Sequence, residues 1–97
     1  MIPSETVRLH RDAVLVLARA HNLADVRVFG SAARGEDRAG SDLDLLVVPL
    51  PDTTTLFDLV DFKADVERLL GVPVDVRTAE DLHPRFRSSV VSEAITL

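Results

Sequence analysis

Apolar and polar positions change period several times along the chain, and each change marks a predicted element. Val7, Val14, Leu17 and Ala18, with Ala13 and Leu15 beside them, recur at helical spacing. They predict a helix that starts at Pro3-Ser4, with Ser4 as N-cap, and runs through about Ala20. His21-Asn22 is the expected stop, because asparagine tolerates the left-handed backbone at a helix end. The period then shortens to two. Asp25 to Phe29 predicts a short strand with Val26 and Val28 on one face and Arg27 and Phe29 on the other. Gly30-Ser31 breaks it, and Ala32-Ala33-Arg34, closed by Gly35, predict one helical turn with Ser31 at its N-cap. Glu36 to Gly40 is polar and turn-like. Leu43 to Val48 is apolar on both faces, the pattern of a central strand covered from both sides.

Pro49 and Pro51 end that strand, and Thr55-x-x-Asp58 has the form of a capping box at the head of a second helix. Leu56, Leu59, Phe62, Val66, Leu69 and Leu70 form its apolar stripe, and Gly71 stops it. Asp58, Asp61, Asp65 and Glu67 fall mostly off the stripe and read as a solvated face. Val72 to Arg77 predicts a third strand, with Val72, Val74 and Val76 on one face and Asp75 on the other. A last helix is expected from about Pro84 to Glu93 with Val90 and Val91 buried, then a short extended tail from Ala94 to Leu97. The order of elements predicts an α/β (α+β) fold, a small mixed sheet covered by helices, as one domain over residues 1–97.

Composition narrows the function. The length of 97 residues suits one modest core, and the 46% hydrophobic share is that of a globular protein. No apolar run reaches the roughly 18 to 20 residues of a membrane span, and no signal-like segment opens the chain, so the expectation is a cytoplasmic protein without a membrane partner. The absence of cysteine excludes disulfides, thiolate metal sites and a cysteine nucleophile. A net charge of -5 argues against dedicated nucleic-acid binding, which needs a basic surface. His10 and His21 have no second ligand at metal spacing and read as helix-surface or packing residues.

The candidate chemistry sits between the first two strands. Asp42 and Asp44, two apart on a strand, share a face with Cα atoms roughly 6.5 to 7 Å apart. Carboxylates without histidine or cysteine favour Mg2+, or Mn2+, over zinc. A two-metal site for nucleotidyl transfer needs a third carboxylate, and Asp75, alone among the residues of its strand in being acidic, is the candidate. Read singly, Ser41-Asp42 is also compatible with a turn before a strand, and Asp75 with a surface pair to Arg77. Gly30-Ser31 permits close backbone approach, and the amides opening a helical turn can receive phosphate. Glu36 stands where a Walker A loop requires lysine, which excludes that motif. Arg34 either steadies phosphates or pairs with an acidic residue of the following loop.

Gly30-Ser31-Ala32-Ala33-Arg34-Gly35 followed by Ser41-Asp42-Leu43-Asp44-Leu45 resembles the signature of the polymerase-beta-type nucleotidyltransferases. The short chain is similar to the minimal nucleotidyltransferases (MNT) known chiefly as antitoxins paired with HEPN-domain toxins. The resemblance implies a polymerase-beta-like fold and transfer of AMP from ATP, with magnesium, onto a tyrosine of a partner toxin that is typically an RNase. It further implies that Gly30, Ser31, Arg34 and Ser41 lie on the nucleotide side. Asp42 and Asp44 would hold the metals, and Asp75 would complete the metal site and help deprotonate the acceptor. The alternatives are an antitoxin that masks its toxin by binding alone, or a nucleotidyltransferase acting on a small molecule or RNA end.

Overall fold

A computed structural model describes residues 1–97. The elements are α1 (Pro3–Leu9), α2 (Arg11–Ala20), β1 (Leu23–Phe29), α3 (Gly30–Arg34), β2 (Leu43–Pro49), α4 (Leu56–Leu70), β3 (Val74–Arg77), a 3₁₀ turn (Ala79–Asp81), α5 (Pro84–Glu93) and β4 (Ile95–Thr96). The sheet has the order β3-β2-β1-β4; β1 runs antiparallel to β2 and β4, and β2 runs parallel to β3. This is the expected mixed sheet with helices, and no helix is long and apolar enough to cross a membrane.

Strand register sorts the side chains. Val28, Leu45 and Val76 lie abreast, as do Leu43 and Val74, and this face packs on α2 and α4 through Val14, Ala18, Phe62 and Val66. The opposite face carries Phe29, Asp44 and Asp75 abreast, then Arg27, Leu46 and Arg77. It is only partly covered: the 3₁₀ turn reaches β2 and α5 reaches β1, so Leu46 is buried while Val48 is 43% exposed. The expectation of a strand covered on both sides therefore holds for half of β2.

Several local expectations are corrected. The first helix divides at His10, whose ring Nδ1 lies 2.9 Å from the Thr6 carbonyl that its own amide also uses, and the backbone turns there. Ile2, not Ser4, caps α1. The Ser4 N–H and Oγ instead donate to the buried carboxylate of Asp37, at 2.7 and 3.0 Å. Phe29, not Ser31, is the N-cap of α3, and Gly30 is its first residue. β1 starts two residues earlier than predicted and β3 two later.

On α4 the capping box of Thr55 and Asp58 forms as predicted, and Gly71 closes the helix with φ +69°. Leu56, placed on the stripe by spacing, is exposed, because the helix meets the core only from Leu59 onward. Nor is the acidic face simply solvated. Asp65 takes the His21 ring nitrogen at 2.8 Å, Asp58 accepts from Asn22, and Glu67 accepts the Val74 N–H at 2.9 Å. α5 buries no residue: Val90 is half-buried and Val91 exposed. The tail is a strand, with the Leu97 N–H donating to the Val26 carbonyl at 3.2 Å.

Candidate active site

The turn from β1 into α3 and the start of β2 meet at Gly30. Phe29 and Asp44 are register partners, so the chain leaving β1 passes directly over the Asp44 side chain. Gly30 has φ +69°, and a Cβ there would stand 2.2 Å from Asp44 Oδ2. Only glycine accommodates both the left-handed backbone and that carboxylate. The turn is thus fitted around Asp44, and α3 begins at that same residue, Gly30.

Asp75 is the register partner of Asp44 across the parallel pair β2–β3, so both project from the same face. Asp42 precedes β2 by one residue, is exposed, and lies close enough to act on Asp44 electrostatically. Burial, then the charges of Asp75 and Asp42, push the Asp44 carboxyl above its ordinary value. A half-buried carboxylate between two others binds a proton more readily than usual, and a divalent cation would relieve the same repulsion.

The side chains are not gathered into a ligand set as they stand. No group of three or more His, Asp or Glu side chains is close enough to hold an ion. Asp75 Oδ2 instead accepts from Arg77 Nε at 3.0 Å, the surface pairing open to it from its sequence position. The register of Asp44 and Asp75 and their all-oxygen donors are of the type that suits Mg2+ or Mn2+, and Asp75 would have to leave Arg77 to act as a ligand. Arg34 likewise takes the second of its two expected courses. It donates to Glu36 at 3.2 Å and to Glu93 at 2.9 Å, and both bonds hold its guanidinium charged. The Ser41 hydroxyl accepts the Arg38 N–H at 2.9 Å and so closes the turn ahead of Asp42.

Sequence reasoning missed Glu93, which ties α5 to α3 through Arg34, whereas the Asp75–Arg77 pairing was one of its two readings of Asp75. No local pattern marks a contact spanning 59 positions. A groove of about 400 Å³ lies elsewhere, against Ser4, Val28, Ala32 and Leu97, toward the packed face of the sheet. The carboxylates themselves stand on an open surface.

A Gly-Ser turn packed over Asp44, with Asp75 in register beside it, agrees with the class that the sequence resembles. Residues 10–97 match the family described as the nucleotidyltransferase domain, and the chain belongs to that family. In solved structures, it is similar to a protein provisionally described as a minimal nucleotidyltransferase, at 50% identity and a TM-score of 0.85, over 97% of this chain and 95% of that one. It is 34% identical, over 84% of its length and 87% of the relative's, to a protein of Methanocaldococcus jannaschii provisionally named a protein adenylyltransferase. A structure described as a tri-AMPylated Shewanella oneidensis HEPN toxin in complex with MNT antitoxin shares the fold. Its TM-score is 0.66 at 19% identity, over 92% of this chain and 69% of that one.

Proposed function

We propose that this nucleotidyltransferase is an antitoxin-type protein adenylyltransferase, which moves AMP from ATP onto a side-chain hydroxyl, a tyrosine by family resemblance, of a HEPN-type toxin. The observation that carries the reading is the placement of Asp44 and Asp75 in register on an open face, with Gly30 fitted over Asp44. The relative named as a protein adenylyltransferase supports the acceptor class, and the AMPylated toxin in the structural neighbour supports the partner class. An open carboxylate surface also suits an acceptor carried on a macromolecule.

In this reading the amides opening α3 and the Ser31 hydroxyl receive the β and γ phosphates. Arg34 adds charge once it exchanges a glutamate for a phosphate oxygen, and Ser41 holds the turn that presents Asp42. Asp42, Asp44 and Asp75 would hold two Mg2+ ions. When bound, such ions neutralise charge on the reacting phosphate and lower the pKa of an acceptor hydroxyl. The acceptor oxygen forms a bond to the α-phosphorus, the bond from that phosphorus to the oxygen of the leaving diphosphate breaks, and pyrophosphate departs. The hydroxyl proton passes to Asp75, whose carboxylate is 44% exposed and so open to an incoming group.

The test mixes the protein, the product of its adjacent gene, ATP and Mg2+, and reads the partner's intact mass. Added AMP units are expected. An unmodified partner, in a mixture where the two proteins bind, overturns the proposal. Masking without catalysis is the second reading, favoured by the pairing of Asp75 and Arg34 to neighbours in the fold. It requires that the double variant Asp42→Asn, Asp44→Asn still neutralise the toxin; under the catalytic reading that variant binds and fails to protect.

A further inference from the structure

The outer edge of β3 leaves one stretch of backbone unprotected, directly beside Asp75. β3 is an edge strand. The Pro73 carbonyl accepts the Leu43 N–H at 2.9 Å, which fixes the parity of the pairing. Asp75 and Arg77 therefore turn their backbone groups toward β2, while Val74, Val76 and Thr78 turn theirs outward. Two of those three outward N–H groups are already taken by carboxylates: Glu67 Oε2 accepts from Val74 at 2.9 Å, and Asp81 Oδ2 accepts from Thr78 at 3.0 Å. The Thr78 carbonyl accepts the Asp81 N–H at 3.1 Å. The N–H and carbonyl of Val76, with the carbonyl of Val74, bond to nothing in the fold. Side-chain carboxylates on an edge are a usual way of preventing strand addition. Here they guard both ends and leave a gap one residue wide.

We infer that this gap is the docking site of the acceptor, an extended, hydroxyl-bearing segment of the partner protein that adds to β3 as a short antiparallel strand. The inference rests on the transfer reading above and names where its acceptor binds. One residue of the segment exchanges both backbone hydrogen bonds with Val76. Its neighbour then lies opposite Asp75, and opposed residues of an antiparallel pair share a face, with Cβ atoms about 4.5 to 5.5 Å apart. That neighbour's side chain rises on the face of Asp44 and Asp75, so strand addition alone brings a hydroxyl to the carboxylates. Glu67 and Asp81 flank the gap, so basic residues on either side of the acceptor complement it. A single two-bond pairing binds weakly, as suits a substrate segment that must leave after modification.

The probe is a blocked peptide, Lys-Val-Tyr-Val-Lys, titrated to millimolar concentration into the 15N-labelled full chain. Its matched control carries N-methyl groups on both valines. The Val76 amide is expected to shift and to exchange about tenfold more slowly with the first peptide and not with the second, since the control cannot donate a backbone bond at the paired residue. A second measurement uses Val76→Pro, which removes an outward N–H from an edge strand, where proline is tolerated. The KM for the acceptor peptide should rise about tenfold while that for ATP stays constant. A Val76 amide that ignores the peptide at millimolar concentration overturns the inference, and so does a folded Val76→Pro variant with an unchanged acceptor KM. The NMR arm needs no variant and no turnover. If the Val76 amide responds but no adenylate forms, the docking edge stands and the transfer reading falls. If adenylate forms while the Val76 amide stays silent, transfer stands and the docking edge falls.

Discussion

Replacing Gly30 by alanine probes the junction on which the site is built. Two costs arise. With φ +69°, alanine is held in the left-handed region, at about 1 to 2 kcal/mol. The new Cβ also meets Asp44 Oδ2 at 2.2 Å, and relieving that contact forces the carboxylate out of its rotamer, at a further cost of about 1 kcal/mol. The sum is about 2 to 3 kcal/mol, and for a chain of this size each kcal/mol lowers Tm by about 4 to 8 °C. Thermal unfolding followed by circular dichroism should therefore show a fall of at least about 8 °C.

A double-mutant cycle separates the two costs. Asp44→Ala removes the clashing oxygen, so adding Gly30→Ala to it should cost only the backbone part, and the cycle should give a coupling of about 1 kcal/mol. Two results refute the reasoning: a Gly30→Ala protein within about 2 °C of the parent, or strictly additive effects. The first would mean that the turn is not strained, the second that Asp44 does not lie under it.

Three further outcomes follow from the same structure. Thr55→Ala removes the side chain that accepts the Asp58 N–H in the capping box and should cost about 1 kcal/mol by urea unfolding. Phe62→Ala empties the position where α4 meets the core; at about 3 to 5 kcal/mol it should leave little folded protein near 37 °C by circular dichroism. The acid dependence of stability has two opposing parts. Backbone bonding at Thr55 lowers the Asp58 carboxyl, and the His21 hydrogen bond lowers Asp65. Their contribution is present above the ordinary carboxylate value and lost as pH falls through the lowered one, so Asp58→Asn with Asp65→Asn should flatten the acid limb of a urea-unfolding series. Asp44 is raised, so its charge costs stability above its folded pKa; Asp44→Asn should stabilise at neutral pH, with the gain fading as the pH falls through that value.

The sequence by itself determined the features that depend on residues within about one turn of each other. The capping box at Thr55, the helix stops at Asn22 and Gly71, the start of α5 at Pro84 and the alternation of β1 and β3 form locally, so local pattern is enough to read them. The Gly-Ser turn and Asp44 at the start of β2 were legible for the same reason, whereas Asp42, expected on that strand with Asp44, lies one residue ahead of it. Burial was less legible, because spacing marks the apolar stripe but not where a helix meets its partner. Leu56 is on the stripe of α4 and exposed, and α5 has apolar residues yet buries none. Only the tertiary structure brought Asp75 abreast of Asp44, since a parallel pair depends on how the long α4 crossover returns the chain. It also decided that Arg77 holds Asp75, that Glu93 and Glu36 hold Arg34, and that Asp37 closes on Ser4. Glu93 and Asp37 reach their partners across 59 and 33 positions, while Arg77 and Glu36 lie two residues from theirs, where the sequence offered the pairing and the fold selected it. The pattern of residues named the carboxylates; the packing of the sheet set their register, their pairing and the open edge beside them.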